Sequence, residues 1–302
     1  MTSARFHIEM VDYRHALQDL RSVREAVFIH EQQVAPEEEW DALDPVSSHM
    51  LARDEAGQPI GTARLTPEHR IGRMAVLQPW RGRGVGEALL QALIEEARHR
   101  QWSELSLHAQ VHALDFYSRA GFVPSGPRFD EAGIEHQSMT CSLDGPTLVD
   151  GNQAAVAAGL GLLAQARQSI RIYSRALDPG LWDHLSLMKA FRQFAVSSPG
   201  REVRILLQDA ATPERAHAPL IALAQRLSSV FSFRQVEDPS DLRYPSAYAI
   251  NDSGGTYFQP LGNRFEGEAR FRQPGYAYQL QNSFDPVWER SRPCTEYRML
   301  KI

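Results

Sequence analysis

The spacing of hydrophobic and polar positions changes several times along this chain, and each change marks an element. Residues 5–11 alternate, which predicts a half-buried strand. Between Tyr13 and His30 the apolar positions Leu17, Leu20, Val23 and Val27 recur three or four apart, as on one face of a helix. Alternation returns in His49–Arg53 and Ile60–Leu65, two strands joined by the turn-forming Glu55-Ala-Gly-Gln-Pro59. Arg70–Val76 predicts another strand and Val85–Arg100 a helix. Leu105–His108 then predicts a strand and Ala113–Arg119 a short helix, while Phe122-Val123 and His136–Ser142 close the sheet. Residues 31–47 have no clear period and are expected to form an acidic loop or short helix.

After residue 143 the pattern restarts. The polar stretch Ser142–Thr147 contains Gly-Pro and marks a linker over 144–147. Asn152–Ser169 is rich in alanine and predicts a helix. Ile170–Tyr173, Val203–Leu207 and Phe231–Val236 predict strands, separated by helices over Leu181–Val196 and Arg215–Ser229. Trp182, Phe191, Phe231, Phe233 and Trp288 supply the bulk for a second core. Two domains are therefore expected, 1–143 and 148–302, both α/β, with a mixed sheet in the first.

Composition narrows the class. With 43% hydrophobic and 23% charged residues in 302, the chain has an ordinary globular makeup. No apolar run is long enough for a transmembrane helix, and Met1–Met10 lacks the apolar core of a signal peptide. Two distant cysteines, Cys141 and Cys294, form neither a disulfide framework nor a metal site, so a reducing cytoplasm is expected. Charge divides unevenly: residues 1–145 carry 14 Arg against 22 acids, and the remainder 16 Arg and 2 Lys against 15 acids. The acidic first part suits a cationic amine, and the mildly basic remainder is too weak a signal to claim nucleic acid.

Candidate chemistry concentrates at Arg81-Gly82-Arg83-Gly84-Val85-Gly86, between a strand and a helix. A helix N-terminus presents unsatisfied N–H groups and partial positive charge, and glycines let that backbone approach a phosphate. The dinucleotide fingerprint does not fit, because the glycines are spaced by two. The P-loop does not fit, because its Lys and Ser/Thr are absent. Arg81, Gly84 and Gly86 instead match R-x-x-G-x-G. Further on, Phe116, Tyr117, Gly121 and Phe122 match F-Y-x-x-x-G-F. Together these motifs resemble the GCN5-related N-acetyltransferases (GNAT). The stretches Arg24–Gln33, Glu37–Asp44 and Phe129–Met139 are similar to the ElaA/YjcF-like branch.

The resemblance implies an acyl-CoA N-acyltransferase fold for residues 1–143 and acetyl-CoA as co-substrate, with no metal. It places the pantetheine arm on the backbone of Met74, Ala75 and Val76, and the pyrophosphate at Arg81, Gly82, Arg83, Gly84, Val85 and Gly86. Tyr117 matches the tyrosine near the coenzyme sulfur, and a phenol can protonate a departing thiolate. His108 suits a general base; His136, Glu31, the run Glu37–Glu39 and a water chain remain alternatives. Glu31 and His136 are candidate acceptor contacts, and Glu37–Glu39 otherwise forms a solvated face. The acceptor would be a small-molecule amine or a peptide amino group, with no membrane partner. Homo-oligomerisation is left open.

The second half resembles one phospholipase D unit, through Ile170–Ser174, Val203–Asp209 and Phe284–Ser291. That family's H-x-K-x-x-x-x-D pattern, anchored on Asp252, places Pro245 and Ala247 where His and Lys belong, and neither His184 nor His217 lies in it. The reading is thus an N-acetyltransferase with a catalytically degenerate appendage. Its rivals are a non-catalytic acyl-CoA-binding or regulatory protein and a phosphodiesterase acting through the second half.

Overall fold

The computed structural model describes residues 5–215 and 218–297, with the side chains of residues 214 and 215 left out. Part of the helix predicted over Arg215–Ser229, and His217, lie outside the described residues. Two compact units emerge. One comprises the residues up to Val111 together with Gly126–Asp144. The other comprises His112–Ser125 and the residues from Gly145 on.

In the first unit, seven strands form one sheet in the order β1-β2-β3-β4-β5-β7-β6. They are β1 (Phe6–Val11), β2 (Ser48–Asp54), β3 (Pro59–Leu65), β4 (Arg70–Val76), β5 (Glu104–Gln110), β6 (Val123–Glu131) and β7 (Ile134–Ser142). β4 and β5 pair in parallel, whereas β1–β2, β2–β3, β3–β4 and β5–β7 are antiparallel. The expected mixed sheet is therefore present. Helix α1 (Leu17–Arg24) buries Leu20 and Val23, and α2 (Pro36–Glu39) is a single turn. Helix α3 (Val85–His99) buries Val85, Leu89, Leu90, Leu93, Ile94 and Ala97. It seats on Gly61 of β3, where a Cβ would meet Leu89 and Val85 at 3.1 Å. Successive strand residues face opposite ways, so Thr62 and Arg64 turn from α3 to the other face.

Two local expectations change here. The helix predicted over Tyr13–His30 is regular only to Arg24; Glu25–Glu31 widens into a π-helix, with Gln32 N–H donating to the Val27 carbonyl. A hydrophobic stripe does not distinguish the two helix types. Phe122-Val123 extends into a long hairpin because Ala132 (φ 53°) and Gly133 (φ 75°) make a tight turn.

The second unit has eight strands in the order β15-β11-β10-β9-β12-β13-β14-β8. They are β8 (Thr147–Val149), β9 (Ser169–Ser174), β10 (Glu202–Leu207), β11 (Phe231–Gln235), β12 (Ala247–Asn251), β13 (Thr256–Gln259), β14 (Gly267–Arg270) and β15 (Arg292–Pro293). β9, β10 and β11 run parallel. Its helices are α4 (Leu114–Arg119), α5 (Gly151–Gln165), α6 (Leu185–Val196), α7 (Ala211–Arg215), α8 (Pro219–Arg226), α9 (Pro239–Leu242) and α10 (Pro274–Arg290).

Both faces of this sheet are covered. Ile172, Ile205 and Phe233 join residues of α5, α6 and α8 in one core, while Tyr173, Leu206 and Tyr248 pack with Leu280, Phe284 and Trp288 of α10 in another. Strands buried on both faces read as apolar runs, which is why β9 and β10 were visible in sequence. All five aromatics expected in this core are buried. Four differences stand out. Pro219 starts a new helix inside 215–229, because proline is favoured in a first turn but not in a helix interior. The helix predicted over Asn152–Ser169 ends at Gln165, since Ser169 already begins β9. The one over Leu181–Val196 starts at Leu185, capped by the His184 side chain. Strands β12–β14 lie where no element was predicted.

Candidate active site

The strand that the motifs assign to the coenzyme is irregular where it matters. Along β3, Arg64 pairs with Gly72 and Thr62 with Ala75. Arg73 and Met74 thus oppose the single residue Ala63, which defines a β-bulge. Arg73 has φ 50°, in the left-handed region. On the other side, β4 pairs with β5 only at Arg70↔Ser106 and Ile71↔Leu107. Beyond that point the ladder stops, and His108 lies one residue past it.

After β4 the chain turns through Gly82 (φ 71°) and Gly84 (φ 86°) into α3. Gly84 is the N-cap, and no side chain caps the first turn. A Cβ at Gly82 or Gly84 would meet nothing within 4 Å. The N–H groups of Val85 and Gly86 thus stand at an open helix N-terminus, fit for an anion.

Arg81 is committed elsewhere. Its two terminal nitrogens donate to Glu31 Oε1 and Oε2 at 2.7 and 2.6 Å, and its Nε donates to the Val76 carbonyl at 2.9 Å. The hydrogen bond and charge of Arg81 hold the Glu31 carboxyl below its ordinary range despite some desolvation. Glu31 and Arg81, expected to touch acceptor and pyrophosphate separately, are therefore partners that tie the π-helix to the end of β4. Arg83 lies over the Trp80 ring at 5.4 Å.

His108 and His136 come together around one aromatic ring on the β5–β7–β6 surface. His108 Nδ1 bonds Glu131 Oε2 at 2.9 Å and meets Phe129 edge-on at 4.8 Å. His136 stacks near the same Phe129 at 6.0 Å and donates from Nδ1 to the Ile134 carbonyl at 2.8 Å. A carboxylate on Nδ1 fixes that nitrogen as donor and leaves Nε2 as the acceptor in neutral imidazole. Glu131 was not anticipated, because only the hairpin brings it to His108.

Tyr117 sits in the second unit, on α4. Phe122 N–H donates to the Tyr117 carbonyl at 3.2 Å and Gly121 N–H to that of Ser118 at 2.9 Å. With Gly121 at φ 100° this is a Schellman helix stop, which pairs the residue after the glycine with one in the last turn. The Tyr117 and Phe122 rings duly meet edge-on at 6.3 Å. The spacing of F-Y-x-x-x-G-F is thus a helix-termination pattern as well as a candidate site. Burial pushes the Tyr117 phenol up to about 12.

The acidic stretch is not an open rim. Glu37 and Glu38 are exposed, but Glu39 and Asp44 are 2% and 1% exposed. Arg24, itself fully buried, donates to the Glu39 carboxylate and to Asp44 at 2.9 Å. Arg64 bonds Asp41 at 2.8 and 2.9 Å and Asp44 at 2.6 Å. Arg73 reaches the Glu39 carbonyl, the Glu38 carbonyl and Asp41 at 3.0, 3.0 and 3.3 Å. Burial raises Asp44, but Arg24 and Arg64 outweigh it and hold the carboxyl low; Glu39 ends high because burial prevails. Glu39, Asp41 and Asp44 are thus faced by three arginines, so much of the acidity that suited a cationic amine is already paired, and Glu39 leaves the solvated face. Composition counted these charges without locating their partners.

Among the described residues no cluster of three or more His, Cys, Asp or Glu could hold a metal ion, and no helix is long and apolar enough to cross a membrane. Asp252, the anchor of the phospholipase D alignment, accepts from the N–H groups of Arg167 and Gln168, both at 2.8 Å.

Residues 151–300 match a family described as a domain of unknown function (DUF7931), and residues 16–143 match the acetyltransferase (GNAT) domain. The uncharacterized N-acetyltransferase YjcF of Bacillus subtilis (strain 168) is 38% identical over 127 residues, covering 41% of this chain and 90% of that protein. Protein ElaA of Escherichia coli (strain K12) is 31% identical over 149 residues, covering 44% of this chain and 95% of its own. The crystal structure of Escherichia coli ElaA aligns with a TM-score of 0.41 and 26% identity, over 45% of this chain and 99% of that one. The GNAT match takes in residues 112–125, which the fold places in the second unit. Through residues 16–143 this chain belongs to the GNAT acetyltransferases, and it is an N-acetyltransferase.

Proposed function

We propose that the enzyme transfers the acetyl group of acetyl-CoA directly to the amino group of a small-molecule or peptide acceptor. The carrying observation is the uncapped N-terminus of α3 behind Gly82 and Gly84, with open space where side chains would stand. The backbone of Val85 and Gly86, with Arg83, takes the pyrophosphate. Arg81 braces the loop through Glu31 and Val76. The pantetheine arm runs along Met74–Val76, beside the bulge.

In the transfer, the neutral amine attacks the thioester carbonyl carbon, and the carbon–sulfur bond breaks. His108 Nε2 receives the proton leaving nitrogen, with Glu131 holding Nδ1 and stabilising the imidazolium. Tyr117 gives its proton to the departing thiolate, in keeping with the family motif and with a phenol that stays protonated. Direct transfer needs both substrates bound together, and holding them in line supplies much of the rate. The second half serves as a folded phospholipase D-like scaffold without hydrolytic chemistry, since Pro245 and Ala247 offer neither nucleophile nor cation.

Release of free thiol, measured with the full chain across amines and peptides, tests the reaction. Gly84→Glu tests the site: its carboxylate would occupy the open space and repel phosphate, so calorimetric binding of acetyl-CoA is expected to vanish while the chain stays folded. Unchanged affinity in that variant would remove the loop from the coenzyme site.

A further inference from the structure

We propose that Arg73 is a positioning residue, and that the buried arginine–carboxylate cluster is a clamp holding the coenzyme strand in its parted shape. This rests on the reading that Met74–Val76 carry the pantetheine arm.

Left-handed backbone is unfavourable for a residue with a side chain, and it persists where surrounding contacts over-determine it. Arg73 is such a residue, at φ 50°, and it forms half of the β4 bulge. Its guanidinium reaches back to the Glu38 and Glu39 carbonyls at 3.0 Å each and to the Asp41 carboxylate at 3.3 Å. These partners belong to α2 and the residues just after it. They are themselves fixed, because Arg24 grips Glu39 and Arg64 grips Asp41 and Asp44. Arg24 also lies over the Trp40 ring at 4.4 Å.

The consequence falls on β4. Its ladder with β5 ends at Ile71, two residues before Arg73, while its ladder with β3 breaks after Gly72 and resumes at Ala75. A bulge bends its strand and increases the local twist. A regular β4 would continue its pairing along β5 and spend on that ladder the backbone groups that a ligand lying between the strands would use. The acidic stretch thereby acquires a role at the coenzyme: it receives Arg73 and keeps the two strands apart. Buried ion pairs are weak stabilisers in general, because desolvation offsets attraction. Specifying one backbone conformation is a role such a network can fill.

The test uses the full-length protein and coenzyme A itself, with binding by calorimetry and folding by thermal melting. Arg73→Ala is expected to bind coenzyme A at least tenfold more weakly and to raise KM for acetyl-CoA without raising KM for the acceptor. Arg73→Lys, which keeps the charge but lacks the guanidinium fork, should fall between. Asp41→Asn, at the partly exposed end of the cluster, should show the same selective loss more mildly and carries the test if Arg73→Ala does not fold. Folded Arg73 and Asp41 variants with wild-type affinity would overturn the proposal. A wild-type protein that binds no coenzyme A would instead overturn the reading of β4 on which it rests.

Discussion

At Tyr117 a single oxygen atom separates packing from the proposed chemistry. Its ring completes the helix stop with Phe122, and its hydroxyl is the proposed acid. Tyr117→Phe keeps the ring, so stability and acetyl-CoA affinity are expected to hold while kcat falls roughly 10–100-fold, the lower part of the general-acid range. Burial sets the sign of the pH dependence: with the phenol raised to about 12, its proton stays in place through about pH 10, so this residue adds no alkaline limb below that. A variant with wild-type kcat returns Tyr117 to packing alone. His108 and Glu131 form the other residue-scale test. If Glu131 acts through His108, Glu131→Ala should lower kcat in the parent and have no effect in a His108→Ala background; independent losses would break the pairing. At this scale the sequence singled out candidate residues, because motif spacing is local. It did not show what they touch, and so Glu131 and the commitment of Arg81 to Glu31 were missed.

Elements explain why the glycines stand where they do. Gly121 terminates α4 in a conformation open to glycine, and its Cα lies against the Phe271 ring, whose nearest atom would be 2.9 Å from a Cβ. The ring has little room to retreat, since Gly161 of α5 meets it on another side, where a Cβ would be 2.7 Å away. Gly121→Ala is therefore expected to cost roughly 1–3 kcal/mol from backbone conformation alone, read as a fall in Tm of roughly 2–4 °C per kcal/mol. An unchanged Tm would show that the turn and ring adjust freely. The same packing accounts for α5 being apolar on every side: residues Ala154–Leu163 are all buried, which a one-sided stripe would not require. Regular strands and helices were legible because period and burial coincide in them. The π-helix, the bulge at Arg73 and the hairpin length were not, because each depends on partners distant in sequence.

For the whole molecule, the expected absence of phosphodiesterase chemistry is best tested on the intact chain, because the second unit includes residues 112–125 as well as those after 145. Purified full-length protein should not cleave a chromogenic phosphodiester or nucleic acid, with or without added divalent metal. Metal-independent cleavage that survives rigorous purification would revive a hydrolytic role for this half. The physical ground is local: Pro245 and Ala247 replace the His and Lys of the pattern, and both Asp252 oxygens already hold backbone N–H groups. The sequence by itself determined the two α/β halves, the acetyltransferase family of the first and the glycine loop ahead of α3, since short-range periodicity and motif order encode them. Only the tertiary structure decided that helix α4 belongs with the second unit and that Glu39, Asp41 and Asp44 of the acidic stretch pair with arginines inside the first. It also placed a bulge at Arg73, in the strand assigned to the coenzyme. Those features arise where residues tens of positions apart meet, and burial there determines which charges pair and which backbone shapes persist.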